Sequence, residues 1–349
     1  MRRFLSIICS ISIVLLCSFK TLQGQKKVSF VQKKSEEKID VMVDGKLFTS
    51  YLYSSKIDKP VLYPIHSASG TIVTRGFPIQ SRANERTDHP HHIGMWFNYG
   101  DVNGLDFWNN SYAIPDSAKM KYGSIRHQRL VKAESGKDKG KLAVVANWID
   151  HAGKVLLKEQ TTFTFSGDAT HRSIDRITTL TASNGKVEFK DNKEGMLGIR
   201  LSRELEIPAD KPEIFTDAKG IPTTVAVLNN EGVAGNYLTS EGKAGNDAWG
   251  TRGKWCLVYG KQNNKDISVA IIDHPDNPGY PTYWHARGYG LFAANTLGQE
   301  ALSGGKEKLN FSLEPGKSVT FRYRILITNG STPSASELDK TADDFSKVK

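Results

Sequence analysis

Beyond residue 25 the chain shows almost no helical periodicity. Short runs rich in β-branched and aromatic residues recur instead, separated by Gly, Asn, Asp and Pro. They predict strands over residues 39–43, 47–53, 142–148, 155–165, 174–180, 186–189, 199–205, 223–228, 256–259, 267–272 and 318–327. Thr161 to Phe165 and Thr320 to Ile325 alternate polar and apolar positions, so each presents one face to a core. Asp44-Gly45, Asn184-Gly185 and Pro315-Gly316 mark tight turns. One helix is predicted, at the C-terminus. Ser334 and Glu337 have capping-box spacing, and Leu338, Ala342 and Phe345 share one face. The expectation is an all-β fold, a large antiparallel β-sandwich forming a single domain over 26–349, with a short C-terminal helix.

Composition refines this picture. The 349 residues are 38% hydrophobic and 24% charged, enough for a packed core. A formal charge of +10 raises the question of nucleic acid. Residues 1–25, however, have the build of a secretory signal peptide: Arg2 and Arg3, an apolar run over 7–17, then small and polar residues up to Gly24 and Gln25. They hold three basic residues and no acid, so without them the charge is +7. The remaining charges are interleaved by sign and form no nucleic-acid module. No segment outside the leader resembles a transmembrane span. Cys9 and Cys17 fall in the leader, leaving Cys256 without a disulfide partner. Leu16 precedes Cys17 where a lipid-anchoring signal needs a small residue. The expected location is the periplasm or another exported compartment.

Histidine carries the chemistry. Three of the nine histidines fall in Asp88-His-Pro-His-His92, and the block runs on through Trp96, Tyr99, Asp101, Asn103, Asp106 and Trp108. Pro90 predicts an extended His89. A strand over 91–99 would point His91, Met95 and Phe97 one way and His92, Trp96 and Asn98 the other. The Asn103-Gly104 turn can hold Asp101 and Asp106 towards one mouth. Glu194 stands between Lys193 and Gly195 at a strand entry; Trp284, His285 and Arg287 form a second aromatic-rich motif. Flat indole faces beside acids suit a sugar ring, and Arg200 and Arg287 can clamp a carboxylate or hydroxyl-rich ligand.

Three readings stay open at this level. Asp88, His89 and His91 can belong to a divalent-metal site, although no recognised metal-ligand spacing is present. His92, His285, Glu194 and Asp101 can share metal-free acid–base roles. Alternatively, the histidines satisfy loop backbones and do no chemistry. No nucleophile elbow, P-loop, dinucleotide fingerprint or zinc cysteine pattern occurs, and no cofactor is firmly implied.

Asp88 to Phe97, Gly100 to Trp108, Lys193-Glu-Gly195, Asp273-His-Pro-Asp-Asn-Pro278 and Pro281 to Phe292 resemble the signature of the bacterial family DUF6807, also labelled PmoA family or methane oxygenase PmoA. A methane-oxidising membrane subunit needs several apolar spans of about 20 residues, which this chain lacks. The family resembles carbohydrate-associated proteins, and the β pattern resembles the galactose-mutarotase-like supersandwich. Mutarotases pair a His acid with a carboxylate base; no counterpart of their late glutamate stands out, Glu300 lying in a turn. Together these observations imply an exported glycoside hydrolase or lyase, acting on glycosides including keto or otherwise modified ones. His92 or His285 would be the acid/base, with Glu194 and Asp101 as carboxylates. His89, His91, Trp96, Asn103, Trp108, Trp284, Arg200 and Arg287 would bind substrate. The alternatives are a non-catalytic glycan-binding protein built on its tryptophans and a His/Asp metal-dependent enzyme. Nothing in the sequence sets an oligomeric state.

Overall fold

The computed structural model describes residues 27–349; the leader, with Cys9 and Cys17, lies outside them. Two eight-stranded sheets, antiparallel throughout, face each other. The first runs, in spatial order, Val28–Lys33, Lys38–Val43, Lys46–Leu52, Val61–Ile65, Met95–Tyr99, Gly195–Arg200, Leu291–Asn295 and Tyr283–Arg287. The second runs Asn236–Thr239, Trp255–Gln262, Lys265–Asp273, Ser318–Asn329, His171–Ala182, Val155–Gly167, Lys139–Ile149 and Ser124–Glu134. A small ribbon pairs Val187–Phe189 with Phe311–Leu313. The fold is an all-β antiparallel sandwich, as the alternation predicts.

One core forms between the sheets. Met95, Phe97, Leu197, Ile199 and Phe292 from the first sheet share it with Phe163, Phe165, Ile174, Phe321 and Ile325 from the second. Burying such side chains yields about 1.5–3 kcal/mol each. Within this core lies a buried ion pair: Arg176 Nη2 donates to Glu159 Oε1 at 2.7 Å, while Trp148 Nε1 donates to Glu159 Oε2 at 2.8 Å and Thr161 Oγ1 to Oε1 at 2.7 Å. Helix Ala335–Phe345 begins on the Ser334–Glu337 capping box and lays Leu338, Ala342 and Phe345 against Trp255, Leu257 and Ile272 on the outer face of the second sheet.

Three expectations are corrected. The strand expected over 199–205 ends at Arg200, because a buried Arg203–Glu206 ion pair spaced i,i+3 turns the chain into a 3-10 turn. Residues 223–228 form no strand. Val225, Val227 and Leu228 are exposed, and this stretch of chain has only the isolated bridges Glu213–Val227 and Thr216–Pro222. The strand expected from residue 91 starts only at Met95. His89 is left-handed (φ 46°), not extended, and Gly94 (φ 55°) completes the bend. A Cβ on Gly94 would lie 2.2 Å from the Leu62 carbonyl oxygen, so the position tolerates glycine alone.

The Arg176–Glu159 pair gives the first prediction. Glu159→Ala leaves a guanidinium buried and unpaired, and is expected to cost about 3–5 kcal/mol of stability. A urea unfolding midpoint unchanged from wild type would contradict this.

Candidate functional site

The outer face of the first sheet carries most of the candidate residues. Cross-strand register sets Trp96, Gly198, Ala293 and His285 in one row across four strands, with Arg200, Leu291 and Arg287 in the next. The two small residues make a trough between Trp96 and His285. Gly198 is essential to it: a Cβ there would meet Trp96 at 2.5 Å and Trp108 at 3.0 Å. Because alternate residues face opposite ways, Trp284 points into the inter-sheet core. It does not join the site, although its neighbours in sequence do.

Above the trough the Asp88–His92 turn is held by two buried arginines. Arg75 and Arg200 are 1% and 0% exposed. Arg75 Nη1 and Arg200 Nη2 both donate to Asp88 Oδ1, at 2.9 and 2.6 Å. Arg75 also donates to the backbone carbonyls of Asp88, His89 and His92 at 2.8, 2.9 and 3.2 Å. The other Asp88 oxygen receives His89 Nδ1–H at 2.5 Å. Burial pushes the Asp88 carboxyl up, but Arg200, the His89 hydrogen bond and Arg75 outweigh it and hold the group well below the usual carboxylate range. His89 therefore keeps its Nδ1 proton on Asp88 and has Nε2 free.

Four rings stack from the sheet outward. His92 lies on Trp96 (5.0 Å, 15°), His89 on His92 (4.8 Å, 4°) and Tyr289 on His89 (5.1 Å, 5°). A guanidinium only donates, so Arg200 Nη1, 3.3 Å from His92 Nδ1, makes that nitrogen an acceptor and places the His92 proton on Nε2. Burial pushes His92 well below the usual histidine range and His91 down to about 2. Both are neutral at physiological pH. The His91 and His92 Nε2 atoms and the Trp96 and Trp108 Nε1 atoms are buried without a hydrogen-bond partner. Lys59, under the Trp96 ring at 5.7 Å, is pushed by burial down to about 8.

A cavity of about 430 Å³ opens beside this column, with His89, His91, His92, Trp108, Glu194 and Tyr289 in its wall. Asn109, Asn192 and Lys193 add amide and amine groups. Glu194 is the one carboxylate in that wall; burial pushes its carboxyl up, with Lys193 opposing. His285 lies 3.6 Å from Glu194 Oε2 and donates from Nδ1 to the Lys193 carbonyl at 3.0 Å. Burial pushes His285 down to about 3, so it is neutral and its approach to Glu194 is not an ion pair.

The structure thus gathers His89, His91, His92, Trp108 and Glu194 around one space, with His285 behind Glu194, Trp96 and Arg200 supporting the histidines, and Arg287 in the wall of a neighbouring cavity. Asp101 and Asn103 lie elsewhere. Asp101 accepts from Gly104 N at 2.9 Å and closes the turn, while Asn103 donates to the Lys186 carbonyl and accepts from Glu188 N, tying the turn to the small ribbon. They line a separate cavity of about 530 Å³, two of whose lysines, Lys186 and Lys308, are paired with Glu188 and Glu300. Asp88, His89 and His91 do not fit a divalent cation, because two guanidiniums and an imidazole N–H occupy Asp88. Among the described residues no group of three or more metal-ligating side chains is found. Sequence reasoning missed Arg75 and Tyr289. Arg75 lies outside the histidine block and its loop has no pattern; Tyr289 lies in the hairpin turn after Arg287, where strand alternation no longer applies.

The chain belongs to DUF6807, a family of unknown function, which it matches over residues 38–343. No curated protein matches it. Among solved structures it is similar to the galactosidase domain of the α-galactosidase-sucrose kinase AgaSK, at 7% identity and TM-score 0.41 over 86% of this chain and 42% of that one. An α-galactosidase from Lactobacillus brevis shows 9% identity and TM-score 0.41, over 87% and 40%. A galactose mutarotase-like protein from Clostridium acetobutylicum shows 12% and 0.36, over 86% and 98%. The chain spans about two-fifths of the two α-galactosidase chains. At these TM-scores the likenesses carry no argument about activity. Among the described residues no helix is long and apolar enough to cross a membrane.

Asp88→Asn removes the charge that both buried arginines share and is expected to cost about 3–5 kcal/mol. Because the folded-state carboxyl is held below its ordinary 3.8, this stabilisation is complete above that value and fades as the solution is acidified below it. Denaturant titrations at several pH values check this: the variant's deficit should shrink in acid, and a pH-independent deficit would contradict the assignment.

Proposed function

We propose that this protein is an exported carbohydrate-processing enzyme that breaks a glycosidic bond by paired proton transfer, as a lyase. One observation carries the reading: a single cavity brings Glu194, its one wall carboxylate, together with an imidazole, His89, oriented by the half-buried acid Asp88. Hydrolysis by two carboxylates needs a second acid about 5–10 Å away. Asp88 and Asp106 are both engaged elsewhere. Asp88 is taken by the arginines, and Asp106 accepts from Trp108 N, Asn109 N and Asn109 Nδ2 at 2.8, 2.9 and 2.7 Å.

Elimination needs one base and one acid. Glu194 takes the proton from a ring carbon beside a keto or carboxylate group. The electrons of that C–H bond form the C=C bond as the bond to the glycosidic oxygen breaks. Protonated His89, its charge balanced by Asp88, delivers a proton from Nε2 to the leaving oxygen. The buried N–H groups of His92 and Trp108 suit the oxyanion that develops at the substrate carbonyl. His92, stacked beneath His89 with its proton on Nε2, serves as a donor in this scheme and not as the base expected of it. The leader-like residues 1–25 support export to the periplasm.

Two tests follow. Glu194→Gln and His89→Gln are each expected to lower kcat/KM on keto-glycosides or uronides by about 10²–10⁴-fold, followed through the unsaturated product; two variants as fast as wild type would refute the assignment. Burial holds Glu194 above its ordinary 4.5 and the base must be ionised. Activity should therefore rise with pH through a midpoint above 4.5, and a midpoint at or below that value would speak against Glu194.

A further inference from the structure

The six tryptophans are unequally exposed. Trp96, Trp108, Trp148, Trp255 and Trp284 are at most 1% exposed, whereas Trp249 is 36% exposed. Its backbone is nevertheless fixed. Trp249 follows the 3-10 turn Gly245–Ala248, and the next amide, that of Gly250, donates to the Trp284 carbonyl at 2.9 Å. Trp249 thus stands at the edge of the strand that bears His285 and Arg287.

This indole forms part of the wall of a cavity of about 660 Å³, with Arg287, Asn246, Arg86 and Glu213 around it. The Arg287 guanidinium lies 5.8 Å from the Trp249 ring and 5.9 Å from the Tyr289 ring, and has no ion-pair partner among the described residues. Glu213 is held by Arg86 at 2.9 Å. A partly exposed indole on a fixed backbone, rimmed by planar hydrogen-bonding groups, matches a sugar ring, which has an apolar C–H face and a hydroxyl edge. The cavity adjoins the 430 Å³ one, and His89 and Tyr289 belong to the walls of both. Each lies within the range of about 300–1,000 Å³ that holds a small ligand.

We propose that the Trp249–Arg287 cavity is a second sugar subsite, so that the substrate is at least a disaccharide lying across the His89–Tyr289 wall with one ring on Trp249. The proposal rests on the reading of the smaller cavity as the reacting site.

Trp249 is the one solvent-accessible fluorophore among the tryptophans, so acrylamide quenching reports on it directly. The probes are methyl glucoside, methyl galactoside, cellobiose, maltose, lactose and digalacturonate, with affinities from calorimetry. Disaccharides that bind are expected to protect the quenchable fluorescence, while methyl glycosides leave it open. Trp249→Ala should weaken disaccharide binding at least about fivefold without changing methyl-glycoside affinity; Trp249→Phe should recover part of the loss, and circular dichroism confirms that both fold. Disaccharide binding with unchanged quenching, or equal affinities in wild type and Trp249→Ala, overturns the subsite alone. Failure of every probe to bind overturns both the subsite and the reading of the smaller cavity.

Discussion

Everything at this site depends on one ionic arrangement: a carboxylate, Asp88, shared by two guanidiniums that have almost no contact with water. A buried arginine without a counter-charge is costly, and a carboxylate between two arginines stays ionised. The same contacts fix the backbone, because Arg75 collects three carbonyls of the Asp88–His92 turn. With that turn pinned, His89 takes a left-handed conformation and gives Nδ1–H to Asp88. Its outer ring face stacks on Tyr289 and its inner face on His92. The orientation of the His89 ring follows from the pairing of Asp88 with two buried arginines.

The sheet beneath supplies the second constraint. Four neighbouring strands place a large ring, two small residues and an imidazole in a single row. Gly198 and Ala293 keep the floor low, so Trp96 lies flat and the histidine turn can rest on it. The site is therefore made by the absence of side chains at two positions as much as by the presence of others. Arg287, one row along, carries the floor outward to Trp249, and His89 and Tyr289 are shared by the walls of the two neighbouring cavities.

Much of this was legible before any coordinates. Period-two alternation announces the sandwich, and Ser334 with Glu337 announces the helix. The histidines concentrated at 88–92 share one cavity wall with Glu194, and His285 stands behind Glu194, because two strands of the same sheet bring those two residues there. Trp284 and His285 could not both face the site, since adjacent strand residues point to opposite sides; parity alone would have removed Trp284. Asp101 and Asn103 looked equivalent to the histidines because they share a motif, but a motif is contiguous in sequence and a site is contiguous in space. The turn at Asn103-Gly104 carries them to the small ribbon instead. Arg75 was beyond reach for the complementary reason: its side-chain partners are 11 to 17 positions away, and no local pattern records a charge pair closed by folding.

The most direct test of the central claim is a crystal structure of the His89→Gln variant with a bound di- or oligosaccharide. The account predicts sugar rings on both sides of the residue 89–Tyr289 wall, the glycosidic oxygen within hydrogen-bond distance of the residue 89 side chain, and a ring carbon facing Glu194. Sugar seated instead in the cavity beside Asp101 and Phe311, with the histidine cavity filled only by solvent, would contradict it.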